Sequence, residues 1–135
     1  MIKSAKLEKE IAVTVINKIG VLADMSKLLT EHGINIVAVA GYGTEKEAKI
    51  MLVTEDSLRA SDALRKAGYK SLEENEVVLL ELENKPGALK HITAGLASEG
   101  IDIKQIYGTT CSGSCPARIV LSTNNNEKTL VIFRR

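Results

Sequence analysis

Hydrophobic residues alternate with small or polar residues near the start of the chain and then change to a helical spacing. The alternation of Ile11, Val13 and Val15 predicts a half-buried strand. The apolar positions that follow predict an amphipathic helix that ends at Gly33. These positions are Val21, Leu22, Met25, Leu28 and Leu29.

Two more strands, a second helix and a short strand complete this pattern. We expect the two strands over 34–40 and 48–54, and the short strand over 69–72. Asp56 or Ser57 can cap the intervening helix. The order β-α-β-β-α-β is typical of the ferredoxin-like α+β fold, which has an antiparallel sheet and both helices on one face. The apolar face of the second helix is predicted to comprise Leu58, Ala60, Ala63, Leu64 and Ala67.

The same pattern occurs a second time along the chain. The segment Asn17-Lys18-Ile19-Gly20-Val21-Leu22 recurs as Asn84-Lys85-Pro86-Gly87-Ala88-Leu89, which is an offset of 67 residues (84 minus 17). The same offset pairs Gly33 with Gly100. The sequence therefore predicts an α+β chain of two ferredoxin-like βαββαβ modules in tandem.

The two modules differ in length. We expect the first over 1–74 and the second over 75–135, with the charged run 73–76 as a solvated linker. The second module is predicted to end in a helix over 127–135. A strand over 129–133 is the alternative, because this segment is rich in β-branched and aromatic residues. The repeat and the preceding asparagine run favour the helix. The second module would then lack its last strand, and its unpaired sheet edge predicts at least a dimer.

Composition and charge exclude several classes of function. The chain has 18 Lys and Arg against 17 Asp and Glu, and aromatic residues make up 3%, so we expect no nucleic-acid partner. No apolar run is long enough to cross a bilayer, and the N-terminus lacks the apolar core of a secretory signal. We therefore expect no membrane partner and a cytoplasmic location. No nucleophile–base arrangement, phosphate loop or zinc spacing is present, so we expect neither catalysis nor a cofactor.

The repeated Asn-Lys-x-Gly turn joins the end of a strand to the start of a helix. Gly20 and Gly87 allow a ligand to approach the backbone, and the first helical amides suit a carboxylate or a phosphate. Asn17 and Asn84 add side-chain donors and acceptors. The alternative is that this turn only forms the first crossover of the fold and binds no ligand.

Asn35 and its counterpart Asp102 begin the second strand of each copy. From a neighbouring copy, either side chain can accept hydrogen bonds from an ammonium group. An anion site opposite an ammonium site matches a free amino acid. The carboxylate of Asp102 would attract the ammonium group but repel a ligand carboxylate.

With these features, the repeated unit resembles the ACT domains, which are small ferredoxin-like modules that bind amino acids and regulate enzymes. The resemblance is carried by the strand, the Asn-x-x-Gly-x-Leu turn, the helix that ends in glycine, and the Ile-Asn-Ile or Ile-Asp-Ile that follows. Pro86 matches the proline that the family favours before glycine, whereas Ile19 departs from it.

The resemblance implies a stand-alone, non-catalytic regulator of a separate enzyme or regulatory protein. It implies that a free amino acid binds between paired modules, under the strand–helix loop of one and against the second strand of the other. In the first copy the implied ligand-binding residues are Asn17, Ile19, Gly20, Val21, Leu22, Asn35 and Ile36. In the second copy they are Asn84, Pro86, Gly87, Ala88, Leu89, Asp102 and Ile103. A pure oligomerisation module is one alternative.

Cys111 and Cys115 support another alternative, a sensor of metal or of thiol redox state. Three intervening residues, one of them glycine, permit a disulfide in a tight loop. Two thiolates supply half of a tetrahedral metal site, so a metal would need a further ligand or a second subunit. The corresponding segment 43–47 of the first copy has no cysteine, so the fold does not require the pair. An inert pair is the plainer interpretation.

Overall fold

The computed structural model describes residues 1–134 with the exception of 111 and 113. The described residues form six strands and four helices, and none of these helices is long and apolar enough to span a membrane. In chain order the elements are β1 (Ile2–Ile16), α1 (Val21–Glu31), β2 (Ile36–Gly43), β3 (Glu47–Thr54), α2 (Ser57–Lys66), β4 (Leu72–Leu82), α3 (Ala88–Ser98), β5 (Ile103–Thr109), β6 (Ala117–Thr123) and α4 (Asn126–Arg134).

The last element, α4, is a helix, as the repeat predicted, and the strand alternative is wrong. The preceding asparagine run caps it, because the backbone amide of Lys128 donates to Asn125 Oδ1 at 3.0 Å. The buried residues of α4 are Thr129 and Phe133, one turn apart, which is a helical spacing.

The second helix, α2, begins as predicted, and Ala60, Ala63 and Leu64 of the predicted apolar face are buried, whereas Ala67 is exposed. Asp56 is its N-cap and accepts a hydrogen bond from the amide of Arg59 at 3.1 Å. Leu58 is 77% exposed, so its predicted place on the apolar face is wrong. The helix instead buries Ser61, whose hydroxyl donates to the carboxylate of Glu74. This hydrogen bond satisfies a polar group that would be costly to bury alone.

The chain divides into two compact units. The central unit consists of Lys9–Asn75, and the composite unit consists of Met1–Glu8 together with Glu76–Arg135. β1 and β4 therefore each contribute residues to both units. These boundaries differ from the predicted division into 1–74 and 75–135, because the first eight residues belong to the composite unit.

The central unit has the strand order of an antiparallel ferredoxin-like sheet. Its strands follow the order β2, β3, the later part of β1, and the first residues of β4. Ile16 of β1 pairs with Glu47, and Gly43 of β2 pairs with Ala48. The amide of Thr14 donates to the carbonyl of Ser71 at 3.0 Å, beside the start of β4. The core of the unit lies between sheet and helices, with Ile11, Val13, Met25, Leu29, Leu52 and Leu64 among its buried residues.

The composite unit has the same sheet, but its fourth strand comes from the start of the chain. Residues 2–8 of β1 lie next to β4, followed by β6 and β5. The amide of Glu83 donates to the carbonyl of Met1 at 2.8 Å. Ala5 belongs to the buried core, and Arg134 Nε donates to its carbonyl at 2.9 Å. As predicted, no strand follows α4, but the predicted unpaired edge is wrong, because residues 2–8 of β1 take the fourth position. This edge therefore gives no reason to expect a dimer.

The charged run 73–76 is part of β4 and not a linker. All four of its side chains are exposed. The backbone continues the strand while the polar side chains face solvent, so their charge indicates exposure and not an interruption of the strand. The predicted short strand over 69–72 is likewise reduced to Leu72, the first residue of β4.

Candidate functional site

The predicted turn of the central unit places a left-handed glycine directly before α1. Gly20 has φ 92°, a left-handed backbone conformation that residues other than glycine rarely adopt. The amide of Val21 donates to the carbonyl of Lys18 at 3.4 Å, and that of Asp24 to the carbonyl of Gly20 at 2.9 Å. No side chain caps this helix. Ile19 is fully exposed at the tip of the turn.

The composite unit repeats this turn almost angle for angle. Gly87 has φ 88° and precedes α3, again without a side-chain cap. The amide of Ala88 donates to the carbonyl of Lys85 at 3.2 Å, and that of His91 to the carbonyl of Gly87 at 3.0 Å. Leu89 is half exposed, as is its counterpart Leu22. Pro86 and Asn84 are also exposed. The repeated sequence motif therefore specifies two equivalent backbone turns.

Asn17 holds the hairpin loop between β2 and β3. Its Nδ2 donates to the carbonyl of Thr44 at 2.6 Å, and its backbone amide donates to the carbonyl of Lys46 at 2.9 Å. A Cβ atom at Gly43 would lie 2.9 Å from the same Nδ2, so a larger residue there would displace the Asn17 carboxamide. Asn17 thus fixes a loop beside the turn, a role that the sequence did not indicate.

Asn35 lies at the opposite end of α1 from Gly20. Its Nδ2 donates to Glu55 Oε1 at 3.1 Å, and its carbonyl accepts from the amide of Glu55 at 3.0 Å. The 11 residues of α1 span about 16 Å. Ile36, which follows, packs against the core of the unit. The central unit by itself therefore does not bring the turn and the Asn35 carboxamide together.

Asp102 has the corresponding place in the composite unit. Its amide donates to Asn124 Oδ1 at 3.1 Å, and its carbonyl accepts from the amide of Asn124 at 3.1 Å. The two hydrogen bonds tie the start of β5 to the end of β6. Ile103 packs against the core. Asp102 follows α3 and Gly87 precedes it, so these two residues are separated in the same way as Asn35 and Gly20.

A groove of about 600 Å³ opens in the central unit beside the turn. Its polar lining includes Lys18, Asp24, Tyr69 and Lys70. Burial raises the pKa of the Tyr69 phenol, and the carboxylate of Asp24 raises this pKa further. Tyr69 and Lys70 were not predicted as site residues, because the sequence placed them in a strand and not in the loop between α2 and β4. The remaining lining residues are Thr14, Val15, Ile16, Val21, Ala67, Gly68 and Ser71.

The composite unit has a smaller groove, of about 400 Å³, beside α3 and α4. It is lined by Met1, Ile2, His91, Gly95, Ile132 and Phe133. Each of His91 and Asp24 is the fourth residue of the first helix of its unit, so the repeat relates these two positions. The comparison of the two copies was the signal in the sequence that could have drawn attention to Asp24.

Glu83 carries a local cluster of charges at the end of β4. Its carboxylate lies 3.1 Å from the ammonium of Met1 and 3.1 Å from Lys85 Nζ. Hydrogen bonds from these two groups, together with their positive charges, lower the pKa of Glu83. Because the groups are solvent-exposed, this cluster is an electrostatic feature of modest strength.

The cysteine loop is described only in part. Cys115 is disulfide-bonded, whereas Cys111 lies outside the described residues. Among the residues that the structure describes, no group of three or more histidine, cysteine, aspartate or glutamate side chains is arranged to hold a metal ion.

Comparison of the sequence with protein families gives one match over nearly its whole length. The model of the ACT domain pair matches residues 7–134. A search of curated proteins found no significant match.

Solved structures share this fold at low sequence identity. A protein from Bacteroides thetaiotaomicron has a TM-score of 0.87 at 23% identity, over 96% of this chain and 88% of that one. The ligand-free regulatory subunit of aspartate kinase from Thermus thermophilus has 0.67 at 15%, over 98% and 96%. Aspartokinase III from E. coli, in complex with lysine and aspartate, has 0.55 at 17%, over 98% of this chain and 32% of that one. At these identities the likeness concerns the fold alone.

Proposed function

The chain belongs to the ACT domain pair family, and from that premise we propose that it is a non-catalytic regulatory protein. It binds a free amino acid at an interface between ACT modules and thereby modulates a partner enzyme or regulator. Aspartokinase III in complex with lysine and aspartate, a protein of related fold, supports amino acids as the class of ligand. The predicted cytoplasmic location fits a sensor of the free amino-acid pool.

One observation carries this proposal: the two halves of the predicted site lie at opposite ends of a helix. The turn at Gly20 precedes α1, whereas Asn35 follows it. A site that uses both features must take them from two modules. A ligand bound there stabilises the paired arrangement, because it can shift an equilibrium only by its differential affinity for the two states. Binding and module pairing are then thermodynamically linked.

Exposed apolar residues of the central unit support its pairing with a module of a second copy of the chain. Ile19 is fully exposed, and Val39 and Tyr42 on β2 are 50% and 62% exposed. β2 is the outermost strand of its sheet, and an edge strand is a template for pairing with a further strand. We therefore include at least a homodimer in the proposed function.

The proposal is tested by thermal unfolding of the protein in the presence of each free amino acid, alongside sedimentation velocity. We expect at least one amino acid to raise Tm and to increase the paired species. Ile19→Asp should abolish the amino-acid-dependent increase in the paired species without destabilising the free protein by more than about 0.5 kcal/mol, because the side chain is exposed. Leu58→Asp, at another exposed apolar position of the same unit, is the matched control and should respond like the wild type.

The thiol-redox sensor is the second candidate, and the disulfide-bonded state of Cys115 favours it over a metal sensor. If the cysteines act as a switch, reduction should change amino-acid affinity or the oligomeric state. Cys111→Ser and Cys115→Ser should then lock the protein in the reduced behaviour. Identical behaviour of the wild type and both variants, with and without dithiothreitol, would rule this candidate out.

A further inference from the structure

The groove of the central unit has walls of three different chemical kinds. Val15 and Val21 supply an apolar wall, and both are at least half buried. Lys18 and Lys70 are exposed and supply positive charge, whereas Asp24 supplies negative charge. A volume of about 600 Å³ falls within the range of about 300–1,000 Å³ that is typical of small-molecule sites.

The backbone holds the outer wall of this groove in place. The amide of Tyr69 donates to the carbonyl of Leu64 at 3.1 Å, and that of Gly68 to Arg65 at 3.0 Å. Gly68 has φ 101°, and this left-handed residue turns the chain out of α2. The hydrogen bond from Thr14 to Ser71 closes the other end of the segment. These hydrogen bonds within the backbone fix the outer wall of the groove, and a fixed wall reduces the entropic cost of binding.

Opposite charges in one groove select for a zwitterion. Asp24 and Tyr69 both line the groove, and the pKa of the Tyr69 phenol is raised first by burial and then by the negative charge of Asp24. An ammonium group placed beside Asp24 gains an opposite charge, and a carboxylate gains the same from the lysines. The apolar wall adds a surface on which an aliphatic side chain can pack.

The groove of the composite unit lacks this combination. His91 occupies the position of Asp24, and the other lining residues are Met1, Ile2, Gly95, Ile132 and Phe133. Among the described residues that line it there is no Asp or Glu side chain, so they offer an ammonium group no opposite charge. The repeat relates the two grooves at this one position, and the described lining of the central-unit groove is the one that combines both signs of charge.

We propose that the central-unit groove is an additional amino-acid site, contained within one module, which binds a neutral α-amino acid with an aliphatic side chain. The ammonium group binds Asp24, the carboxylate faces Lys18 and Lys70, and the side chain packs on Val15 and Val21. This inference rests on the proposed function for its class of ligand. It does not require a second module, so it is separable from the interface site.

Calorimetric titration of the full chain with L-leucine, L-valine and L-isoleucine tests this inference, with 4-methylpentanoate as the analogue of leucine that lacks the ammonium group. Asp24→Asn should weaken L-leucine about 10-fold or more and leave 4-methylpentanoate unchanged, because only the ammonium contact is lost. His91→Asn, at the matched position of the composite unit, should leave both affinities unchanged. Lys70→Met should weaken both ligands several-fold.

The alternative outcomes separate this inference from the proposed function. If Asp24→Asn binds the three amino acids like the wild type while Asn35→Ala abolishes binding, the groove is not a site and the interface proposal stands. Binding restricted to charged amino acids such as lysine or aspartate would also overturn the groove assignment alone. If the wild type binds no free amino acid at all, both proposals are wrong.

Discussion

The two units have the same sequence motif and the same turn, yet they obtain their fourth strand in different ways. The central unit uses residues 72–75, which follow its second helix along the chain. The composite unit uses residues 2–8, which lie at the other end of the chain from α4. A sheet position can therefore be filled by whichever segment supplies backbone hydrogen bonds and a buried side chain. The two units thus have the same strand order in the sheet although the chain connects their strands differently.

The largest expected effect comes from placing a charge in the strand that completes the composite unit. Ala5→Asp buries a carboxylate among Leu80, Leu82 and their neighbours, and should cost about 3–5 kcal/mol. Ser4→Asp, at the adjacent exposed position, is the matched control and should cost less than about 0.5 kcal/mol. Hydrogen exchange should show lost protection over 78–82 with 50–53 preserved. Equal loss in both segments would mean that the units do not unfold separately.

Truncation of two equivalent core leucines tests whether the two units unfold separately. Leu29 and Leu96 are 67 positions apart, and both are fully buried in the cores of their respective units. Each leucine-to-alanine change should cost about 2–5 kcal/mol, through lost apolar contacts and the cavity left behind. Leu29→Ala should lower protection mainly in β3, and Leu96→Ala mainly in β6. If either variant lowers protection equally in both strands, the division into two energetic units is wrong.

Replacement of either turn glycine by alanine should lower the stability by nearly the same amount. Gly20 and Gly87 have φ near 90° and no atoms within 4 Å of an added Cβ, so alanine brings conformational strain without a clash. Each alanine variant should cost about 1–2 kcal/mol in chemical denaturation. Gly95→Ala is the control, because a helical glycine without positive φ should be neutral or stabilised by replacement. A cost at only one of the two turns would contradict their equivalence.

The smallest expected effect concerns the charges around Glu83, which exist only in the composite unit. The lowered pKa of Glu83 means that its ionised form stabilises the folded state above the unfolded-state pKa, and that this stability is lost as pH falls through the folded pKa. Glu83→Gln should therefore be slightly less stable than the wild type at pH 7 and equally stable in acid. Added salt should shrink the difference at pH 7. A difference that persists in acid would exclude the electrostatic cause.

Much of the fold could be predicted because local signals agreed with the repeat. The asparagines before α4 predicted where α4 begins, and Asp56 predicted where α2 begins, because capping is a local interaction. The strand at residues 2–8 was missed because its side chains are mostly polar, with Ala5 alone fully buried. The run 73–76 was misassigned because charge was taken as a break, although an exposed strand tolerates it.

The candidate site could be predicted only in its local parts. The turns at Gly20 and Gly87 are specified by a short motif, and both glycines have a positive φ. The anchoring of the 44–46 loop by Asn17 depends on a residue 27 positions away. The groove around Tyr69 depends on three segments that meet only in the folded unit. The spacing of residues along the sequence does not predict such tertiary contacts.

Native mass spectrometry of the full chain, with and without a mixture of the free amino acids, tests the central claim most directly. The account predicts that one or more bound amino acids appear as discrete added masses, most abundantly on the paired species. The dimer fraction should rise with the amino-acid concentration. A chain that stays free of added mass at every amino-acid concentration, with an unchanged distribution of oligomers, would contradict the account.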